Sequence, residues 1–366
     1  MAAAYRTVVR ERAGALALAS LLGACGGGGS NPAAPTPAPT PTPPPATEQD
    51  PLRADAEASG RMVGAAIQSR YLAEPLYART LARHFDYVTA EYEMKWDPTE
   101  RQPGVFSFAG SDAIVSFAAA NRMRVKGHAL LWHQALPDWV SALSSTELQA
   151  AIESHIAAVV GRYRGQVAAW DVVNEAVADN GNGLRDTIFL RKLGEGYLEL
   201  AFRAAHAADP NVLLVYNDYG AEGLGRKSDE VYALVRRLRD RGVPIGGVGL
   251  QMHVAAQDRP SSADIAANMR RLGALGLLVN ISEMDVRIRA VPGDLPTRLE
   301  VQRREYRDLV GLCVAEPACH AVTFWGFTDR YSWIDSFFGP DDPLPFDESY
   351  AAKPAFFGVQ EALRRR

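Results

Sequence analysis

After about residue 50, short runs of strand-forming apolar residues alternate with longer runs whose apolar positions return every three or four residues. The strand candidates are 63–67, 87–90, 125–130, 168–173, 213–217, 247–251, 278–282 and 321–325. Helical spacing is clearest over 147–163, 196–208, 227–241, 262–275 and 299–314. Alternation of the two periods predicts an α/β fold, and eight such units predict a (β/α)8 TIM barrel. The alternative, an open doubly wound sheet, usually has fewer strands and a glycine-rich phosphate turn, and the chain has no such turn. No internal repeat is evident.

The polar exceptions fall at one end of the strands. Glu91 and Lys95 follow the second; His128, Trp132 and His133 follow the third; Asn174 and Glu175 close the fourth. Asn217, Asp218 and Tyr219 end the fifth, Gln251 and His253 the sixth, Glu283 and Asp285 the seventh, Trp325 the eighth. In a TIM barrel these ends meet on one face, where active sites form. Two segments matter most, Trp170-Asp171-Val172-Val173-Asn174-Glu175 and Ile281-Ser282-Glu283-Met284-Asp285. Each is a strand that ends in a carboxylate, where a buried strand should read apolar. Two such Glu on separate strands supply what acid-plus-nucleophile cleavage of a glycosidic bond requires. Trp96 and Trp139 read as packing residues.

Length and charge narrow the picture. The 366 residues hold one barrel domain, 50–366, and an N-terminal extension. A formal charge of −4 gives no basic surface for a polyanion, so nucleic acid is excluded as a partner, while a neutral ligand fits. Residues 1–25 read as an export leader, with Arg6, Arg10 and Arg12 ahead of an apolar stretch too short to cross a bilayer. The leader ends Leu22-Gly23-Ala24-Cys25, similar to a bacterial lipobox with Cys25 as the lipidated residue. Gly26 follows Cys25 where Asp would signal retention, so the expected location is the outer membrane, with the periplasm or the medium as the alternative. Membrane contact is then through Cys25 alone. Residues 26–49, rich in Gly, Pro and Thr, form a linker with no core. Cys313 and Cys319 flank Val-Ala-Glu-Pro-Ala, which predicts a local disulfide in an oxidising compartment, against two free thiols. A zinc site lacks a second pair.

The ordered motifs go further. They run Thr89-Ala90-Glu91, Met94-Lys95-Trp96, Gly127-His128 with Trp132-His133, Trp170 to Glu175, and Gly183-Leu184-Arg185-Asp186. They continue through Tyr216-Asn217-Asp218-Tyr219, Gly249-Leu250-Gln251-Met252-His253, Ser282-Glu283-Met284-Asp285 and Thr323-Phe324-Trp325-Gly326. Over about residues 58–359 the chain resembles glycoside hydrolase family 10, the endo-1,4-β-xylanases. The resemblance implies endo-acting, retaining hydrolysis of β-1,4-xylosidic bonds, with Glu175 as general acid/base and Glu283 as nucleophile. It implies that Asn174 holds the 2-hydroxyl of the cleaved sugar and that Gln251 adds a polar contact near the nucleophile. It implies that Glu91, Lys95, His128 and Trp132 grip xylose at the cleavage subsite and the next glycone subsite. Trp325 and Trp333 would wall the sugar, and Tyr219 would lie on the aglycone side.

The chemistry sets its own demands. Glu175 must hold a proton near neutral pH, so its surroundings and the negative Glu283 should raise its pKa, while Glu283 must stay ionised. His253 is expected to hydrogen-bond Glu283, with Asp285 holding the imidazole; a satisfied core histidine is the alternative. Lys95, four residues after Glu91, would pair with it if both were only rim residues. Three positions depart from the family pattern: Tyr92 replaces an Asn, Ala135 replaces a Gln with Gln134 one place early, and Gly220 stands where Asn often follows the aglycone Tyr. The first two predict a reshaped second glycone subsite with weaker hydrogen bonding. Competing readings are a retaining barrel glycosidase acting on glucan or mannan, and an inactive surface glycan-binding protein. No cofactor or metal is expected, since carboxylates suffice. The expected partners are xylan and xylo-oligosaccharides, bound by a monomer.

Overall fold

The computed structural model describes residues 50–365; the leader 1–25 with Cys25, and the linker 26–49, lie outside the described residues. Ten strands follow in order: β1 (Met62–Ile67), β2 (Tyr87–Ala90), β3 (Arg124–Gly127), β4 (Leu131–Trp132), β5 (Ala169–Asn174), β6 (Leu213–Asp218), β7 (Gly247–Leu250), β8 (His253–Ala255), β9 (Leu278–Arg287) and β10 (Cys319–Phe324). Eight of them pair in parallel in chain order, and β10 bonds both β9 and β1, so the sheet closes into a barrel. The short β4 and β8 lie off this cylinder and pair with β5 and β9. Strands covered by helices on one side and filled by barrel side chains on the other are buried throughout, which is why they read as apolar runs. All six residues of β5 are buried.

Two strand ends differ by three residues or more from the pattern in the sequence. The expected third strand, 125–130, stops at Gly127; the chain leaves the ladder, and Leu130 N–H bonds the Asp171 carbonyl at 3.0 Å before β4 begins. Ala129 and Leu130 are apolar because they are buried, and burial alone does not distinguish a strand from a packed turn. The expected seventh strand, 278–282, runs on to Arg287, because β8 pairs with its second half through His253 and Asp285.

Helix starts also move. The helix expected from Glu147 begins at Ser145, since Ser144 and Glu147 form a reciprocal cap: Glu147 N–H reaches Ser144 Oγ at 3.3 Å and Ser144 N–H reaches the Glu147 carboxylate at 2.7 Å. The helix expected from 299 begins at Leu295, capped by Asp294 with Pro296 in its first turn. A disulfide joins Cys313, near that helix's end, to Cys319 at the start of β10. Trp96 packs on His155 with ring centres 4.4 Å apart and edge-on to Trp139 at 6.0 Å.

Candidate active site

Glu175 is the first residue past β5. A bulge against β6 between Asp171 and Val173 re-aims the strand end, as bulges beside active sites do. Glu175 then takes φ +58°, a left-handed conformation that L-residues other than Gly rarely adopt. Its backbone is held on both sides: its N–H bonds the Asn217 carbonyl at 2.8 Å, and its carbonyl accepts from Arg185 Nε at 3.0 Å. The next two N–H groups, of Ala176 and Val177, both donate to Tyr216 Oη at 3.1 Å. The carboxyl accepts from Trp132 Nε1 at 2.8 Å and Gln251 Nε2 at 3.2 Å, and the Asn174 amide lies 3.3 Å away.

Glu283 lies within β9. Asn217 Nδ2 donates to it at 2.6 Å, His253 Nε2 lies at 3.2 Å, and His128 Nδ1 at 3.9 Å. Asn217 can occupy this place because residue 249 is Gly: a Cβ there would sit 2.0 Å from Asn217 Oδ1. Ser282 Oγ donates to that same Oδ1 at 2.6 Å. The Asn174 amide lies 2.9 Å from Asn217 Nδ2 and 3.3 Å from Gln251 Nε2, so three amides link the two carboxyls in one network. Both Glu are nearly buried, 7% and 4% exposed, so each contact acts in a medium of low polarity.

The other candidates surround this pair. His253 Nδ1 is 2.8 Å from Asp285 Oδ2, which also accepts from Trp333 Nε1 at 2.8 Å. His128 Nδ1 is 2.9 Å from Asp171, whose carboxylate also pairs with Lys126 Nζ at 2.8 Å. The Trp325 ring lies 5.1 Å from His128 and 6.2 Å from His253. Lys95 Nζ sits 4.6 Å above the Trp132 ring and 5.8 Å from that of Trp325, while Gln68 donates to Glu91 at 2.8 Å. Tyr219, past β6, takes Arg185 Nη2 at 3.1 Å, hydrogen-bonds Asp179, and carries Lys227 Nζ 3.7 Å above its ring.

Sequence reasoning missed several members of the network. The sequence pattern puts Asn217 and Asp218 at a strand end without a role, and gives Tyr216, Asp171 and Lys126 no place in the site. A signal existed: Lys126 and Asp171 are charges inside runs that otherwise read apolar, and buried charges need partners. Ligand atoms of His128, Asp171 and Glu283 lie within 4.8 Å of one another, close enough for a cation, but the Lys126 ammonium already supplies positive charge at Asp171.

The protonation states divide. Burial raises the Glu175 pKa to about 7, helped next by negative Asp218 and opposed by the bonds from Trp132 and Gln251; Glu283 contributes least. Asp218, not Glu283, is therefore the main charged neighbour, contrary to the expectation from sequence. For Glu283 burial also pushes upward, but the His253 hydrogen bond and the charge interactions with His128, His253 and Lys126 outweigh it and hold the pKa at about 2. Burial lowers the His253 pKa, yet Asp285 and Glu283 prevail and raise it to about 10.

A test of this assignment is Asp218→Asn. Removing a like charge favours ionised Glu175, so its pKa falls and the alkaline limb of kcat/KM should move to lower pH by about one unit. A limb that stays in place, or moves upward, would contradict the role given to Asp218.

A closed parallel barrel with two carboxyls of opposite protonation at its mouth defines a barrel glycoside hydrolase. The sequence matches the model of Glycosyl hydrolase family 10 over residues 51–362, and the chain belongs to that family. It is 38% identical over 324 residues to endo-1,4-beta-xylanase B of Thermotoga neapolitana, covering 86% of this chain and 92% of that protein. It is 40% identical over 305 residues to endo-1,4-beta-xylanase 5 of Pyricularia oryzae, covering 82% and 75%. Among solved structures it is similar to xylanase 10B from Thermotoga petrophila RKU-1 in complex with xylobiose, with a TM-score of 0.83 and 36% identity, covering 87% of this chain and 98% of that one.

Proposed function

We propose that this chain is an endo-1,4-β-xylanase in which Glu175 is the general acid/base and Glu283 the nucleophile. The observation that carries the assignment is the split in protonation between two carboxyls joined through Asn217, Asn174 and Gln251. Glu283, anionic, attacks the anomeric carbon while Glu175 gives its proton to the departing glycosidic oxygen. A covalent xylosyl-enzyme forms with inversion. Glu175, now a carboxylate, takes a proton from water; the water attacks the same carbon, Glu283 leaves, and the two inversions give net retention.

The pH dependence follows from the signs. Activity needs Glu283 deprotonated, hence pH above about 2, and Glu175 protonated, hence pH below about 7. The rate is lost as pH rises through 7. His253 stays charged across that window.

Hydrolysis of xylan, β-glucan and mannan compared side by side, with the first-formed anomer read by NMR, tests the reading. The expected result is a strong preference for xylan and a β-anomer. An α-anomer would remove the nucleophile assignment, and a preference for glucan or mannan would replace the substrate.

Glu91, Lys95, His128, Trp132, Trp325 and Trp333 form the glycone pocket in this reading, and Tyr219 belongs to the aglycone side. At the departures from the family pattern, Tyr92 Oη lies 3.4 Å from Asp97, and the Ala135 carbonyl accepts the Asp97 N–H at 2.9 Å. Both positions are thus tied to Asp97, which supports a second glycone subsite with fewer bonds to sugar. Xylohexaose should give a broad product mixture; a pattern dominated by xylobiose would argue against it. The anchor at Cys25 rests on the lipobox-like sequence, and Cys25→Ser should move the enzyme from the membrane fraction to the soluble one. Retention of the variant in the membrane fraction would count against the anchor.

A further inference from the structure

Arg287 closes β9, two residues after Asp285 and on the same face, since alternate strand residues share a side. Its guanidinium lies 4.0 Å from the centre of the Phe338 ring, and Phe338 is 43% exposed. Phe338 in turn packs edge-on against Trp333, at 5.7 Å, and Trp333 is bonded to the Asp285 that holds His253. Arg287 therefore stands two same-face positions past the nucleophile along the same strand, at the end of an aromatic shelf that begins at the site.

Among the described residues the Arg287 guanidinium makes no ion pair and no hydrogen bond, and its Nε is buried without an acceptor. A buried donor without an acceptor is unfavourable and calls for an explanation. A nearby carboxylate does not supply one. Asp341 directs both oxygens to the backbone N–H groups of Ile288 and Arg289, at 3.1 to 3.2 Å. Arg289 itself is engaged, donating to the Phe338 carbonyl at 3.1 Å and so fixing the shelf under its neighbour.

We propose that Arg287, over Phe338, is a subsite for a carboxylate-bearing branch of the polysaccharide, a hexuronic acid attached to the xylan chain. The proposal rests on the xylanase reading above and names a decoration for it. A guanidinium presents a planar fork of N–H donors that matches a carboxylate two bonds at a time. An aromatic face beside it suits the C–H face of a pyranose ring. An unsubstituted xylan backbone carries no charge that could pair with the guanidinium. A substituted one is a polyanion approaching a protein of formal charge −4, so a local cation at the rim decides whether the branch is tolerated or repelled.

The test compares kcat/KM on three substrates: glucuronoxylan, the same polymer with its uronic carboxyls reduced to alcohols, and xylohexaose. Wild type, Arg287→Leu and Arg287→Lys are measured at low salt. In the wild type, carboxyl reduction should lower kcat/KM about three- to tenfold, the size of one charge-assisted contact at a partly open rim. Arg287→Leu should lose that factor on glucuronoxylan relative to xylohexaose and show no further loss on reduction. Arg287→Lys should recover part of it. Indifference of the wild type to reduction, or an equal loss in Arg287→Leu on all three substrates, would overturn the subsite and leave the xylanase reading intact. A wild type inert on all three would overturn both.

Discussion

Glu283→Ala is expected to lower kcat on xylan by about ten-thousand-fold or more, because it removes the atom that forms the bond to the anomeric carbon. Substrate binding should survive, since Asn174, Gln251, Trp325 and Trp333 remain. The missing carboxylate also leaves Asn217 Nδ2 and His253 Nε2 pointing into a small polar space. A small anion such as azide should fit there and attack from the nucleophile's side. It would displace the leaving group once, so the rescued product is a xylosyl azide of inverted configuration. Activity within tenfold of wild type without added anion would remove Glu283 from the nucleophile's role.

Glu175→Gln should cost about a hundred- to ten-thousand-fold on xylan, where the departing sugar oxygen needs a proton. The same variant should lose far less in forming the covalent intermediate from a dinitrophenyl xylobioside, whose phenolate leaves unaided. The alkaline limb near pH 7 should vanish with the group that produces it. Gln keeps the contacts from Trp132 and Gln251 close to their places, so the comparison isolates the proton. An equal loss on both substrates would point to misfolding or misplacement instead of acid catalysis. Comparison of the two variants separates the roles: azide should restore retained stereochemistry to the acid variant and inverted stereochemistry to the nucleophile variant.

Much of this was legible along the chain. The eight strands, the closed parallel topology and the placing of polar residues at one end all follow from local patterns, because a strand buried on both faces must be apolar and its exceptions must be functional or paired. Glu175 and Glu283 stood out for that reason. Boundaries were less legible where one strand borrows order from another. Residues 285–287 extend β9 by pairing with β8, a neighbour the chain order does not reveal, and Ala129 and Leu130 are apolar without being strand.

The site was legible as a set of residues and not as a circuit. Nothing in the spacing shows that Asn217 reaches Glu283 across 66 positions, or that this requires the absence of a side chain at Gly249. Nothing in it shows that Asp218, held by Lys227 at 2.9 Å, is the charge that most affects Glu175. The number of strands, their apolar faces and the two carboxylates at their tips are written in neighbouring residues. The assignment of one carboxyl as acid and the other as anion is not, because it depends on burial and on which charges lie within a few ångströms. Those quantities exist only once distant segments have packed together and excluded water.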